Sequence, residues 1–170
     1  FPARAAAARR KGLRRGFAAS PYLECTGGMA KEEATLRFES DGTLHLAVGS
    51  HSTGMGHETA FAQIVAQKFG VDIGSIHFVQ ADTQATKMGG GHGGSRGLEV
   101  GGNAVLKAAE EAVIKARTIA AHLLNSHTDD IAFDRGTLRD AKTGQTLSLH
   151  DVVRAAGDPA RLPPDTPASP

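Results

Sequence analysis

Between Gly89 and Gly102 eight of fourteen residues are glycine, in a run that includes Met88-Gly89-Gly90-Gly91-His92-Gly93-Gly94-Ser95-Arg96-Gly97. Glycine loses more conformational freedom on folding than any other residue, and a stretch this rich in it has few side chains to bury. Such a stretch is not the interior of a helix or strand. It is a loop whose ordering needs close approach to something else, a ligand or a neighbouring domain. With few packed side chains, Gly89 to Gly97 is expected to be among the least ordered parts of the chain when no ligand is bound. A second loop, from Gly49 to Gly56, ends in Gly54-Met55-Gly56-His57-Glu58-Thr59.

Both loops open into helical patterns. Phe61, Ile64, Val65 and Phe69 recur at helical spacing and Gly70 stands where a helix stops, which predicts a helix over 57–69. Val105, Ala109, Ala112, Ala116, Ile119 and Leu123 step by three and four, with Lys107, Glu111 and Lys115 able to pair across a turn, which predicts a helix over about 98–124. Its alanine-rich face allows close approach of a sheet or a partner domain. Ahead of both, Ala34, Leu36 and Phe38 alternate with Thr35, Arg37 and Glu39, and Leu44, Leu46 and Val48 follow Asp41-Gly42, the pattern of a hairpin. Short strands are expected at Ile73 to Val79, Ile131 to Phe133 and Thr146 to Leu147, then a small helix from Leu149 to Ala156. The expected fold is α+β, an antiparallel hairpin and short strands packed with two main helices.

Composition limits the partners. Nineteen basic and eighteen acidic residues give a net charge of +1, which removes bulk attraction to nucleic acid or an anionic membrane. No apolar run approaches the roughly 18 residues of a membrane span. The single Cys25 forms no intrachain disulfide or thiolate cage, so a reducing, cytoplasmic setting is expected. Residues 1–11 form a basic segment, read as a short helix stopped by Gly12 in preference to a targeting peptide. Residues 12–157 form the body, with Leu13, Phe17, Tyr22 and Leu23 in an extended segment, and 158–170, holding five of the seven prolines, a linker or truncated connection.

Glycine loops that lead into helices favour anions, because the first N–H groups of a helix lack internal partners and the dipole is positive there. The dinucleotide fingerprint nevertheless fails, since Thr59 stands where it wants glycine, and no Gly-Lys-Ser or Gly-Lys-Thr supports a phosphate-binding P-loop. No two of the eight histidines lie at i and i+4 on a predicted helix, so they are read as solvated or capping side chains, not metal ligands. No residue is assigned a catalytic role. From these residues alone, a non-catalytic phosphate- or nucleotide-binding module and a purely structural subunit both stay open.

Four motifs in order carry a more specific message. His51-Ser52-Thr53-Gly54-Met55-Gly56-His57-Glu58-Thr59, Phe61-Ala62-Gln63-Ile64-Val65, Val79-Gln80-Ala81-Asp82-Thr83 and Gly91-His92-Gly93-Gly94-Ser95-Arg96 resemble the large, molybdenum-binding subunit of the molybdenum hydroxylases. That family contains xanthine dehydrogenase, aldehyde oxidase and aerobic carbon monoxide dehydrogenase, and its bacterial branch is the more similar. The resemblance implies an oxidoreductase that hydroxylates or oxidises an aldehyde, N-heterocycle or similar small molecule. It implies molybdenum held by a molybdopterin, in bacteria often the cytosine dinucleotide form, with 2Fe-2S and FAD centres on other domains or subunits. The expected partners are those iron-sulfur and flavin units and the remainder of the large subunit.

Carried over by position, the resemblance assigns Met55, Gly56, His57 and Thr59 to one cofactor-binding loop and His92, Gly94, Ser95, Arg96 and Gly97 to the other. Met55 replaces the family's usual Gln, and a thioether has no hydrogen to donate. His92 stands where Thr is common. The family's catalytic base, a Glu in a glycine-rich motif near the subunit's C-terminus, has no counterpart before Pro170, so this stretch alone is expected to be inactive.

Overall fold

The computed structural model describes residues 1–28 and 31–164, and the part of the proline-rich connection from 165 onward lies outside the described residues. The elements in order are α1 (Pro2–Arg10), β1 (Ala34–Phe38), β2 (Leu44–Val48), α2 (His57–Phe69), β3 (Ile76–Gln80), α3 (Gly102–Leu123), β4 (Ile131–Asp134), β5 (Thr137–Asp140), β6 (Thr146–Ser148) and α4 (Leu149–Ala156). This is an α+β fold with two three-stranded sheets, β1-β2-β3 and β4-β5-β6.

The alternation that predicted a hairpin produces one. β1 pairs antiparallel with β2, Ala34 opposite Val48 and Phe38 opposite Leu44. The connection is longer than a two-residue turn: Gly42 takes φ of 90°, and the Asp41 carboxylate accepts from the Thr43 amide at 2.9 Å and its hydroxyl at 2.7 Å. β3 joins the other side of β2 in parallel, which requires a crossover, and α2 supplies it. Leu44, Leu46 and Val48 bury their shared face against Phe61, Val65 and Phe69 of α2, which recur every turn, and against Val105, Ala109, Ala116 and Ile119 of α3.

The second long helix departs from expectation at its start. Gly97–Gly101 forms a π-helical turn, and regular α-helix begins only at Gly102. At Gly101 a β-carbon would stand 2.9 Å from the Phe61 ring, so this wider turn lies pressed against α2. The second sheet holds a strand that the sequence pattern did not reveal. β4 and β5 form a tight hairpin whose turn residues, Arg135 and Gly136, have φ of 40° and 79°. Arg-Gly serves there in place of the usual Asn-Gly or Asp-Gly signal. Gly136 packs under the end of α2, where a side chain would meet the Phe69 carbonyl at 2.7 Å.

α4 begins with a capping box, Ser148 and Asp151 each satisfying the other's backbone N–H. α1 ends before Gly12, which has φ of 71°. Leu13, Phe17, Tyr22 and Leu23 are exposed and add nothing to the core. Among the described residues no helix is long and apolar enough to cross a membrane.

Candidate functional site

The two glycine loops meet. Thr26, Met55, His57, Ala60, His92, Ser95, Gly97, Leu98 and Glu99 line one cleft of about 490 Å³ at the start of α2 and of the π-helical turn. Residues more than thirty positions apart in sequence thus share a wall.

The first loop is held by its own polar residues. Gln80 Oε1, at the end of β3, accepts from the Ser52 amide at 2.7 Å, and Ser52 Oγ accepts from the Met55 amide at 3.1 Å. Gly54 and Gly56 turn the chain with φ of 96° and 73°, conformations that favour glycine. Gly56 then serves as the N-cap of α2 without any side-chain cap, leaving the first amides of a 13-residue helix without a side-chain acceptor. Met55 projects with its side chain half-exposed, and the Thr53 hydroxyl lies 3.3 Å from its sulfur.

His57 follows at the helix start and is buried, contrary to the expectation of a solvated or capping side chain. Its ring stacks on Phe61 with centroids 5.0 Å apart. At the Nε2–Cε1 edge of the ring lies Gly97, where a β-carbon would come within 2.4 Å of Nε2, so only glycine leaves the imidazole its place. Among the described residues Nδ1 of His57 has no hydrogen-bond partner, and neither has Nδ1 of His92, whose ring meets His51 edge-on at 5.0 Å. Two buried, unpartnered ring nitrogens in one cleft are costly unless a ligand meets them. Burial, followed by repulsion from His92 and His51, holds the His57 imidazole below its ordinary pKa, so the ring is neutral at pH 7.

The remaining assigned residues divide. Ser95 lines the cleft and sits at φ of 53°, a conformation uncommon for a residue with a side chain. Gly56, Thr59, Gly94 and Arg96 do not line it. Thr59 faces solvent, and Gly94 backs onto Gly28, where a side chain would strike backbone at 3.1 Å. Arg96 is turned inward and fully buried, its guanidinium 3.0 Å from Glu32 Oε2 and 2.6 Å from the Gly91 carbonyl.

Thr26, Ala60, Leu98 and Glu99 complete the wall without having been singled out. The motif Thr26-Gly27-Gly28 reads in sequence only as the end of an extended segment, yet the Gly27 amide donates to the Ser95 carbonyl at 3.4 Å and the Glu99 carboxylate lies against Gly27. Among the described residues no Lys or Arg lines the cleft, and Glu99 is the one ordinarily charged side chain. The site therefore offers neutral hydrogen-bonding groups and helix amides in place of cations. Among the described residues no group of three His, Cys, Asp or Glu side chains could hold a metal ion by itself.

The family model described as "Molybdopterin cofactor-binding domain" matches residues 1–164. The chain belongs to this family. Its relatives are subunits of larger enzymes. This molybdopterin-binding domain is 35% identical over 144 residues to the 6-hydroxypseudooxynicotine dehydrogenase complex subunit gamma of Paenarthrobacter nicotinovorans, covering 84% of the chain and 17% of the relative. It is 33% identical over 119 residues to the carbon monoxide dehydrogenase large chain of Afipia carboxidovorans, covering 70% of the chain and 15% of the relative. Among solved structures it superposes on the Cu,Mo-CO dehydrogenase with a TM-score of 0.75 at 29% identity, covering 82% of the chain and 18% of the other. Quinoline 2-oxidoreductase from Pseudomonas putida 86 gives a TM-score of 0.71 at 30% identity, covering 81% and 18%. The domain spans less than a fifth of the length of each of these proteins.

Proposed function

We propose that the cleft between the two glycine loops holds part of a molybdenum-molybdopterin cofactor, in the large subunit of an oxidoreductase that hydroxylates or oxidises an aldehyde, an N-heterocycle or a similar small molecule. The observation that carries this reading is the pair of buried, unpartnered imidazole nitrogens of His57 and His92 beside an uncapped helix start, in a chain of this family. When bound, the cofactor would supply the two-electron oxidation of a carbon centre, with the pterin holding the metal. The residues present fit that group, because they offer hydrogen bonds and a shaped wall and leave metal ligation to the pterin.

Each residue then has a distinct task. His57, neutral, stacked on Phe61 and crowded by Gly97, presents a fixed nitrogen. His92 presents a second, and the Ser95 hydroxyl can donate or accept. Met55 covers the site without a hydrogen bond to donate. Arg96 and the glycines at 56, 94 and 97 shape the loops. A free nucleotide or phosphate fits less well, since among the described residues of the cleft its charge would meet no cation and one carboxylate, Glu99. A cytosine dinucleotide extension of the cofactor, if present, would find its charged partners elsewhere in the subunit.

In this reading the domain works within a cytoplasmic complex of the xanthine dehydrogenase and aldehyde oxidase type, with 2Fe-2S and FAD units as electron acceptors. The test is molybdenum and pterin content of the purified native protein at matched expression. Ser95→Ala and Ser95→Gly should both lower occupancy, the second while also relieving the backbone at 95. Met55→Gln should raise it, by a retention advantage on the order of 1 kcal/mol for one new neutral hydrogen bond. Equal occupancy in all four proteins would refute the assignment.

A further inference from the structure

Behind the cleft lies a buried ion pair whose acidic member, Glu32, has no task in the cofactor reading. Arg96 and Glu32 are 1% and 0% exposed in their side chains, with Nη1 to Oε2 at 3.0 Å. Removing two charges from water costs more than their attraction returns unless further hydrogen bonds satisfy both ends. Here they do. Ser50 Oγ lies 2.5 Å from the same Glu32 oxygen and 2.9 Å from the Gly91 carbonyl, the guanidinium donates to Gly91, and its other arm donates to the carbonyl of Lys31. Glycine is required where this guanidinium passes, since a β-carbon at Gly90 would stand 2.6 Å from Nη1. The adjacent Glu33 carboxylate accepts from the amides of Lys87 and Met88 at 3.1 and 2.9 Å, so two successive acids grip one side of the glycine run.

The grip ends at the cleft wall. Arg96 lies between Ser95 and Gly97, both of which line the cleft, and Ser50 precedes His51, whose ring meets His92. Ser95 keeps its positive φ, and such a conformation persists only where surrounding structure over-determines it. A buried charge pair adds little net stability but strongly penalises every arrangement that separates it.

We propose that Glu32 is a positioning residue of the cofactor cleft, holding Arg96 and thereby fixing Ser95, Gly97 and His92 against the first loop before any cofactor arrives. This rests on the cofactor reading above for its purpose, but not for its geometry.

The experiment compares wild type with Glu32→Ala, Glu32→Gln and Arg96→Lys in the native protein, prepared with and without cofactor. Hydrogen exchange in the cofactor-free protein should rise about tenfold or more across 87–97 in Glu32→Ala, with amides of α3 from 105 to 119 unchanged. Glu32→Gln, which keeps shape and an acceptor, and Arg96→Lys, which keeps charge but loses the planar fork, should fall between. Molybdenum content should decline in the same order. Should Glu32→Ala fail to fold, the near-isosteric Gln variant carries the test. Unchanged loop exchange in the variants, or acceleration spread evenly over the whole domain as simple destabilisation would give, overturns the proposal. Faster exchange confined to the loop with undiminished molybdenum would keep the anchor and overturn the link to the cofactor.

Discussion

Replacing Gly97 by Ala isolates one consequence of the cleft's construction. The added carbon would stand 2.4 Å from Nε2 and 2.7 Å from Cε1 of His57, well inside van der Waals contact. The imidazole cannot easily yield, because it is buried and already stacked on Phe61 at 5.0 Å. Helix propensity works the other way, favouring Ala over Gly by roughly 0.5–1 kcal/mol in a helical turn. Overpacking of a buried site costs about 1–3 kcal/mol, so sterics should win and leave a net loss of up to roughly 2.5 kcal/mol. For a chain of this size that corresponds to a fall in Tm of up to about 10 °C. Gly93→Ala is the internal control, since nothing lies within 4 Å of a β-carbon there. Its φ is not in the left-handed region either, so it should change stability by no more than about 0.5–1 kcal/mol, toward greater stability. Urea unfolding of both variants beside wild type gives the comparison directly. A Gly97→Ala protein as stable as Gly93→Ala would refute the packing described for His57.

The lowered pKa of His57 means that the unfolded chain takes up a proton near pH 6.5 while the folded chain does so only at lower pH. The unfolded state therefore binds more protons in that window, and stability should fall as pH drops below about 6.5, by at most about 1.4 kcal/mol per pH unit from this group. In His57→Gln this component should vanish, and a wild-type profile flat between pH 7 and the lowered pKa would contradict it. Ser148→Ala removes the cap of α4 and should cost about 1 kcal/mol in urea unfolding, with a null result contradicting the capping box.

Much of the fold was legible because it follows from periodicity. Period two gave β1 and β2, and period near four gave α2 and α3, since each pattern marks the face that must leave water. β5 was not legible, because Thr137-Leu138-Arg139-Asp140 buries Leu138 and Asp140 while its turn, Arg135-Gly136, carries no common hairpin dipeptide. The site was legible in part. Glycine content identified both loops, but the reason differs at several positions from close approach to a ligand. Gly49 and Gly89 touch backbone to backbone, Gly90 makes way for Arg96, Gly97 for His57 and Gly101 for Phe61. Hydrogen bonds from Lys87, Met88 and Arg96, and to the Gly91 carbonyl, tie the glycine run to the rest of the fold, and none of these partners is visible in its composition. Glu32 gave no local signal, since its partner lies 64 residues away and only the fold joins them.

A structure of the native protein with its cofactor bound decides whether the two glycine loops hold that cofactor. Cofactor density is expected in the cleft lined by Met55, His57, His92 and Ser95, within hydrogen-bond distance of Nδ1 of His57 or His92, while Arg96 stays paired with Glu32. Cofactor bound elsewhere, with only solvent against these residues, would contradict it.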